Sequence, residues 1–438
     1  MKLPGNATMK GRYMPERSGP LLRGLAAYGG AEALNRLVRI CATMVIARQL
    51  APHIIGEAAL ALTIFELVRV LARTGVGQKI ISCPAAELDA TCNTAHRLFW
   101  QWGFVLAILQ WLIAAIVAAA FGQYAAGGML AMLSLVYLVM PGGLVQCHLA
   151  MREGLANRTA KTTAAQAMAD HVLTAVLLIA WPSPWSVALP KLLTAPVWLV
   201  MTRRARPWRA DALAGTVPMR SIAGFSASVL AAEIMTALRT QGDNLIVAMV
   251  MGTGALGTYY FAYNAGIGIV SSLVNAFGLV AFPLLCATAP GEDRRTALRG
   301  ICLVGLAVFI PLIALQSLAA SWYVPLLFGA HWAFAAPLVS LMCLGGLPLL
   351  AATLNACWLR AQGRPGADAI SSAFTCITAL GGLVLGIAMG SLGWAAAGLI
   401  AGQTIAAAFY AARILGPALR APAPAVSLPE NMLKEQIA

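Results

Sequence analysis

Charged residues are scarce in this sequence, and their scarcity excludes a soluble protein. They make up 11% of the 438 residues, whereas hydrophobic residues make up 60%, and the mean hydropathy is +0.78. A soluble domain has roughly 25% charged and 45–50% apolar residues. The sequence therefore predicts an integral membrane protein with no sizeable soluble domain.

Motifs for catalysis, nucleotide binding and metal binding are also missing. The nine cysteines include no C-x-x-C pair, the five histidines have no metal-ligand spacing, and no P-loop, H-E-x-x-H or G-x-S-x-G is present. GTGALG (252–257) matches the letters of a dinucleotide motif, but it lies between two apolar segments and not between a strand and a helix. We predict no enzyme, no metal and no cofactor other than a possible coupling Na⁺ or H⁺.

Long apolar segments fill most of the chain. A helix needs about 20 apolar residues to cross the hydrocarbon core. Twelve segments qualify, near residues 26–47, 56–81, 99–120, 128–151, 163–182, 185–202, 222–250, 256–286, 300–323, 334–359, 368–389 and 393–415. The predicted fold class is an all-α membrane protein of about 12 transmembrane helices.

Basic residues concentrate in alternate connections. These contain the basic N-terminus (1–24), Lys79, Arg97, Arg152, Arg158, Lys161, the basic linker (203–221), Arg294, Arg295, Arg299, Arg360, Arg364, Arg413, Arg420 and Lys434. The other side holds only Arg48 and Lys191. By the positive-inside rule, both termini are predicted to be cytoplasmic. The net charge of +14 then reports topology and contact with anionic lipid, with no role in nucleic-acid binding.

An internal repeat relates the two halves of the chain. Aligning residues 47–65 with 248–266 places Gly56 on Gly257, and MREG (151–154) corresponds to LRAQG (359–363). We predict two six-helix bundles of the same orientation, residues 25–202 and 222–415, around a central cavity, followed by a disordered tail (416–438). Parallel repeats of this kind are typical of transporters that work by alternating access.

Two stretches resemble a known family. ARQLAPHIIGEAALALTIFELVRVLARTGVGQKII (47–81) resembles the opening of bacterial polysaccharide flippases of the Wzx type, and TQGDNLIVAMVMGTGALGTYYFAYN (240–264) resembles their seventh span. These flippases belong to the multidrug, oligosaccharidyl-lipid and polysaccharide exporter superfamily. The resemblance implies transfer of a sugar unit linked to undecaprenyl diphosphate from the cytoplasmic to the periplasmic leaflet of the bacterial inner membrane, with a polysaccharide polymerase and chain-length proteins as expected partners.

Charged residues inside the first two spans point to a polar cavity. Glu32, Arg36 and Arg39 share one face of the first helix, since they are spaced by four and three residues. Glu66, Arg69 and Arg73 repeat the pattern on the second helix. A charge at mid-membrane is costly unless it faces a cavity or a partner. Because arginine binds phosphate oxygens bidentately, we expect these residues to bind the diphosphate, with the glutamates as partners in the empty site.

Further charges lie in the fifth and seventh spans. Arg239 is a further candidate for substrate binding, while Asp243, Asp170 and Glu233 are candidates for binding a coupling ion. The alternative for all of these residues is that they form internal ion pairs that hold the bundle together.

Two other functions stay open at this point. A cation-coupled exporter of drugs or organic cations would share the fold, but the excess of arginine argues against a cation cavity. A membrane-embedded polysaccharide polymerase or ligase would need a large outer loop, for which the segment around VPLLFGAHWAFAAP (324–337) is the candidate.

Overall fold

The computed structural model describes residues 34, 35, 37–72, 75–218, 220–289 and 291–420. Within these ranges the chain is almost entirely helical. The basic N-terminus and Glu32, Arg36 and Arg73 lie outside the described residues, as does the tail from residue 421. Residues 416–420, predicted to be disordered, form a last helical turn.

Seventeen helices form the described part of the chain. They are α1 (37–49), α2 (Pro52–Val70), α3 (Val76–Ser82), α4 (Leu88–Phe121), α5 (Tyr124–Leu133), α6 (Val136–Val139), α7 (Pro141–Arg152), α8 (Ala156–Ala180), α9 (Trp185–Ala205), α10 (Arg220–Ala265), α11 (Ile267–Ala287), α12 (Glu292–Phe328), α13 (Ala336–Leu344), α14 (Gly346–Ala361), α15 (Pro365–Ala388), α16 (Leu392–Tyr410) and α17 (Gly416–Arg420). We call the face where α9 ends and α10 begins the basic face, and the other the opposite face.

The helices account for the predicted number of spans. In the described part of the chain, nine helical stretches are long and apolar enough to cross a membrane. The pair Tyr124–Val139 and Pro141–Arg152, bent by 52°, makes a tenth. Helix α1 is only partly described, and α2 carries Glu57, Glu66 and Arg69, so neither is among these ten. With α1 and α2 the total is twelve, and the prediction of an all-α, multi-pass membrane protein is confirmed.

The chain reverses direction within α10, at Gly252. This glycine has φ 84° and ψ 173°, a conformation that side chains disfavour. The hydroxyl of Tyr259 donates a hydrogen bond to Asp243 Oδ2 at 2.9 Å. In one straight helix these residues would lie roughly 24 Å apart. The two arms of α10 (220–251 and 253–265) are therefore antiparallel, as the predicted turn between spans seven and eight requires.

The ends of α7 and α14 have the same hydrogen-bonding pattern, as the repeat predicts. Gly154 and Gly363 both have positive φ, 76° and 70°. Leu155 N donates to Ala150 O at 2.8 Å, and Arg364 N donates to Leu359 O at 2.9 Å. Each is the six-to-one bond of a glycine-terminated helix. The motifs MREG and LRAQG therefore end their helices in equivalent ways.

The aligned glycines Gly56 and Gly257 lie against each other. A Cβ on Gly56 would lie 1.8 Å from Thr253 O, and one on Gly257 would lie 1.8 Å from Pro52 O. Helix α2 and the second arm of α10 thus cross in backbone contact, which only glycine permits. The two residues paired by the repeat meet where the two halves of the chain touch.

Helix α15 and the turn after it contain glycines at every fourth position, Gly382, Gly386 and Gly390. The first two permit close packing of α15 against α16. A Cβ on Gly382 would lie 2.0 Å from Gly398 O, and one on Gly386 would lie 2.1 Å from Trp394 O. Gly390 has no such neighbour. It has φ +85° and lies in the turn between α15 and α16.

The buried core is shared at the opposite face and divided toward the basic face. One cluster includes residues from both halves, among them Leu50, Phe65, Tyr259 and Trp332. Nearer the basic face, a cluster around Val76 and Phe99 and a cluster around Val274 and Trp358 are separate. The two bundles therefore join at the opposite face and diverge toward the basic face.

Two helix ends bind each other at the opposite face, a contact we call the opposite-face seal (Ala47, Arg48, Leu326, Leu327, His331 and Trp332). Arg48 donates to the carbonyls of Leu326 and Leu327 at 2.8 Å each. In return, Trp332 Nε1 lies 2.7 Å from Ala47 O and His331 Nε2 lies 3.0 Å from it. These carbonyls lack helical partners because they are in the last turns of α1 and α12. The sequence suggested that Arg48 only anchors an interface, but it connects the two bundles.

The basic linker between the two halves is bound to α4. Asn93 Nδ2 donates to Asp211 O at 2.6 Å and to Gly215 O at 3.0 Å. Val217 N donates to Thr94 Oγ1 at 2.9 Å, and the Trp208 ring lies 5.4 Å from that of His96. The linker is thus part of the N-terminal bundle up to about residue 217.

We expect Asn93→Ala to release the linker without unfolding the bundles. Each neutral hydrogen bond contributes about 0.5–1.5 kcal/mol, so the loss of two should raise trypsin cleavage after the exposed Arg209 by roughly tenfold. The measurement is limited proteolysis of the purified protein. Asn157→Ala, at an exposed asparagine on the same face, is the control; equal cleavage rates in both variants would contradict linker binding.

Candidate functional site

Arg39 lies near the middle of the membrane and contacts the other bundle. It is about 15 Å from the opposite-face end of α1. Its Nη2 donates to Ser272 Oγ at 2.6 Å and to Gly268 O at 3.3 Å, both on α11. The guanidinium is solvent-exposed, and in the described residues it has no carboxylate partner. Glu32, the glutamate predicted on the same helix face, lies outside the described residues, so the pairing of Arg39 in the empty site stays a prediction.

Glu66 and Arg69 form an ion pair within α2, as their spacing predicts. Arg69 Nη2 donates to Glu66 Oε2, and the guanidinium also lies over the Phe65 ring. The pair is half-buried and lies closer to the basic face than Arg39 does. Residues Glu32, Arg36 and Arg73 were predicted to join this cluster, but they lie outside the described residues.

Lys191 and Asp170 form an ion pair inside the N-terminal bundle. Lys191 Nζ lies 3.3 Å from Asp170 Oδ2. The sequence suggested that Lys191 belongs to the outer side, yet it lies roughly 9 Å into α9 from its opposite-face end. Asp170 lies roughly 15 Å from the end of α8 at the same face. The signal in the sequence is that position 191 falls within the predicted apolar segment 185–202.

Asp243 is buried in the first arm of α10. It is 7% exposed and accepts a hydrogen bond from Tyr259. Its other oxygen, Oδ1, has no hydrogen-bond partner among the described residues. This arrangement is compatible with a protonatable or ion-binding carboxyl. Glu233, the third predicted ion-coupling residue, lies in the same arm but nearer the basic face.

Two tyrosines of the second arm of α10 lie at the centre of the charged groups. Tyr260 is within electrostatic range of Lys191, Glu66 and Arg39. Tyr263 is within range of Asp243, Arg239 and Arg39. Sequence reasoning did not single out these residues, although the aromatic run TYYFAYN (258–264) marks the stretch. They connect charged groups of both bundles.

Arg239 lines a recess within the C-terminal bundle. Helices α10, α14, α15 and α16 enclose about 390 Å³ of empty space, part of it open to the surroundings. The lining includes the polar residues Arg239, Asn355, Ser371, Ser372, Thr375, Gln403 and Tyr410. Arg239 is exposed and has no carboxylate partner in the described part of the chain. The charges of Arg239 and Arg39 both act on Tyr263, so the recess is within electrostatic range of the site that contains Arg39.

The arrangement can bind an anion between the bundles. The charges of Arg39, Lys191 and Arg239 reach the two tyrosines. The carboxylates nearby are engaged: Glu66 by Arg69, Asp170 by Lys191 and Asp243 by Tyr259. Arg39 and Arg239 have no carboxylate partner among the described residues, so each guanidinium can bind a phosphate or another anionic group.

Comparisons with known proteins agree with the fold. Residues 45–337 match a family described as "Polysaccharide biosynthesis protein". The chain is 26% identical over 314 residues to the lipopolysaccharide biosynthesis protein WzxC of Escherichia coli K12, and 22% identical over 305 residues to the succinoglycan biosynthesis transport protein ExoT of Rhizobium meliloti. These alignments cover 69% and 68% of this chain but 62% and 61% of the relatives. The chain thus matches less than two thirds of their length.

Solved transporters share the fold. The lipid II flippase MurJ, in an inward closed conformation, superposes with a TM-score of 0.73 at 11% identity, over 89% of this chain and 87% of MurJ. An inward-facing multidrug resistance transporter of the MATE family and the MOP superfamily gives 0.65 at 15% identity, over 89% and 96%. The predicted two-bundle architecture is therefore confirmed.

Proposed function

The chain belongs to the polysaccharide biosynthesis protein family, and on this premise we propose that it is a flippase and not an enzyme. Its substrate would be an oligosaccharide linked to a polyprenyl diphosphate, moved from the cytoplasmic to the periplasmic leaflet by alternating access for the synthesis of a surface polysaccharide. Relatives named for lipopolysaccharide, succinoglycan and lipid II support this class of substrate.

The single observation that carries the proposal is the pair Arg39 and Arg239, two arginines that have no acidic partner among the described residues. A diphosphate offers several charged oxygens, and a guanidinium binds two of them at once without deprotonating. One arginine comes from each half of the chain, and the charge of each reaches Tyr263. A substrate held by both would therefore respond to movement of one bundle against the other.

The two ends of the molecule support alternating access. The opposite-face seal closes one side, while the cores of the bundles diverge toward the other. The basic face would be cytoplasmic by the positive-inside rule, which places both termini there and the protein in the bacterial inner membrane. The diphosphate would enter from that side while its polyprenyl chain stays in lipid.

The driving force would come from a coupling Na⁺ or H⁺. Asp243 is the favoured site because its Oδ1 is buried without a partner among the described residues. Asp170 and Glu233 are the other candidates. A polysaccharide polymerase and chain-length proteins would be partners downstream, since the delivered unit has to be polymerised.

The alternative functions have less support. The segment at 324–337 is the end of α12, a short turn of helix (Ala330–Ala335) and the start of α13, with Trp332 buried in the core. It is not the folded outer segment that a polymerase would need. An exporter of organic cations would require a surplus of carboxylates, whereas the described part of the site holds four cations (Arg39, Arg69, Lys191 and Arg239) and four carboxylates (Glu66, Asp170, Asp243 and Glu233).

Complementation tests the proposal. We expect the full chain to restore surface polysaccharide in a strain that lacks its own flippase, and to leave a sensitised strain as susceptible to cationic drugs as before. Both strains should contain equal amounts of the protein in the membrane. Drug resistance without restored polysaccharide would refute the flippase and favour the exporter.

A further inference from the structure

We propose that Lys191 binds the phosphate of the substrate and that Asp170 is an internal counter-ion which the substrate displaces. This inference rests on the proposed function, because it assumes an anionic substrate between the bundles. It adds a ligand from α9 to the site and gives the Lys191–Asp170 pair a role other than holding the bundle together.

The pair uses one donor of the lysine and one oxygen of the aspartate. Lys191 Nζ and Asp170 Oδ2 are 3.3 Å apart, which lies within the range of 2.7 to 3.9 Å that ion pairs at the basic face span. Asp170 Oδ1 has no hydrogen-bond partner among the described residues. An ammonium has three donors, so a single bond to one oxygen leaves Lys191 able to bind another anion.

The pair is also partly exposed and within reach of the other half of the chain. The Lys191 and Asp170 side chains are 28% and 15% exposed, although both lie inside membrane-spanning helices. Tyr260, on the C-terminal half, is within electrostatic range of both Lys191 and Arg39. His171 is within range of Asp170, Lys191 and Arg39. An anion beside Tyr260 would therefore have cations from α1 and α9 near it.

Helix α9 has a sequence that permits movement at Lys191. Pro190 and Pro196 lie inside it, and proline has no N–H for the carbonyl four residues earlier. The carbonyls of Ser186 and Leu192 therefore lack their helical donors, and prolines are the usual sites of helix kinks. Lys191 lies between these two weak points, so it can shift toward a ligand without disrupting a regular helix.

Placing these two charges inside the membrane costs free energy, so their presence calls for an explanation other than stability. A buried ion pair is poor evidence of stabilisation, since a neutral pair of similar size is often equally stable. Charged groups within a membrane protein commonly mark the path of a substrate. A releasable counter-ion explains both features, because Asp170 neutralises Lys191 in the empty site and leaves it available once a stronger anion arrives.

Binding of undecaprenyl diphosphate to the purified, full-length protein tests the inference. We expect the neutral double variant D170N/K191M to keep the wild-type melting temperature but to bind this lipid at least tenfold more weakly. The single variant D170N should bind it as tightly as the wild type or more tightly, because Lys191 is then free. R360M/D368N, which neutralises a pair remote from the site, is the matched control and should bind normally.

The outcomes separate the two levels of the proposal. If the wild type does not bind undecaprenyl diphosphate, the proposed function fails and this inference fails with it. If the wild type binds and D170N/K191M binds equally well, only the role of Lys191 is refuted. A D170N variant that loses as much affinity as D170N/K191M would likewise overturn it, because the pair would then act as one structural unit.

Discussion

Replacing both Arg39 and Arg239 with alanine is expected to abolish export of the glycan while the protein stays folded. A hydrogen bond to a charged group contributes about 1.5–3 kcal/mol, so removal of both guanidiniums should weaken substrate binding by roughly 3–6 kcal/mol, or about 10²–10⁴-fold. The loss of stability should be limited to the hydrogen bonds of Arg39 with Ser272 and Gly268, because neither arginine has a carboxylate partner in the described part of the chain. The measurements are surface polysaccharide in the complemented strain and melting temperature of the purified protein.

Two further variants define the cause of the loss. Arg39→Lys keeps the charge but not the planar fork, and we expect intermediate export. Arg364→Ala removes an exposed arginine at the basic face and should export normally, which controls for total charge. Normal export by the Arg39→Ala, Arg239→Ala double variant would refute the diphosphate site as assigned.

Gly257→Ala is expected to have the largest effect on stability. The added Cβ would lie 1.8 Å from Pro52 O and 2.8 Å from Gly56 N, both backbone atoms that cannot rotate away. Overpacking commonly costs 1–3 kcal/mol, and a contact this short should cost about 3 kcal/mol or more. We expect a strongly lowered melting temperature and little protein in the membrane.

The same helix arm offers a matched control. Gly254 has no heavy atom within 4 Å of its would-be Cβ, and alanine favours a helix by roughly 1 kcal/mol over glycine. Gly254→Ala should therefore match or exceed the wild type in melting temperature. If Gly257→Ala melts at the same temperature as Gly254→Ala, the backbone contact between α2 and α10 is wrong.

Much of the fold could be predicted because its causes are local. Twelve spans follow from apolar length, the turn at Gly252 follows from a glycine between two apolar segments, and the helix ends at Gly154 and Gly363 follow from glycine at repeated positions. The alignment of the two halves pairs Gly56 with Gly257 as equivalent residues. It does not show that the two residues touch, because a sequence repeat does not reveal where the symmetry axis between its copies lies.

The site was only partly predictable because its partners are distant in the chain. The spacing of Glu66 and Arg69 indicates an ion pair, since three residues separate them along one helix. Arg39, in contrast, binds Ser272 on a helix of the other half, and no local pattern contains that information. Lys191 was assigned to the connections of the outer side although it lies inside α9, because hydropathy fixes the approximate limits of a span but not how deep a given side chain lies within it.

The opposite-face seal has a consequence for which mutations the protein tolerates. Its acceptors are the backbone carbonyls of Ala47, Leu326 and Leu327, which every residue type possesses. Substitutions at these three positions keep the acceptors, so the hydrogen bonds can survive a wide range of side chains there. The donors Arg48 and Trp332 have no such freedom. Random mutagenesis of the opposite face should accordingly return viable changes at the acceptor positions far more often than at the donors.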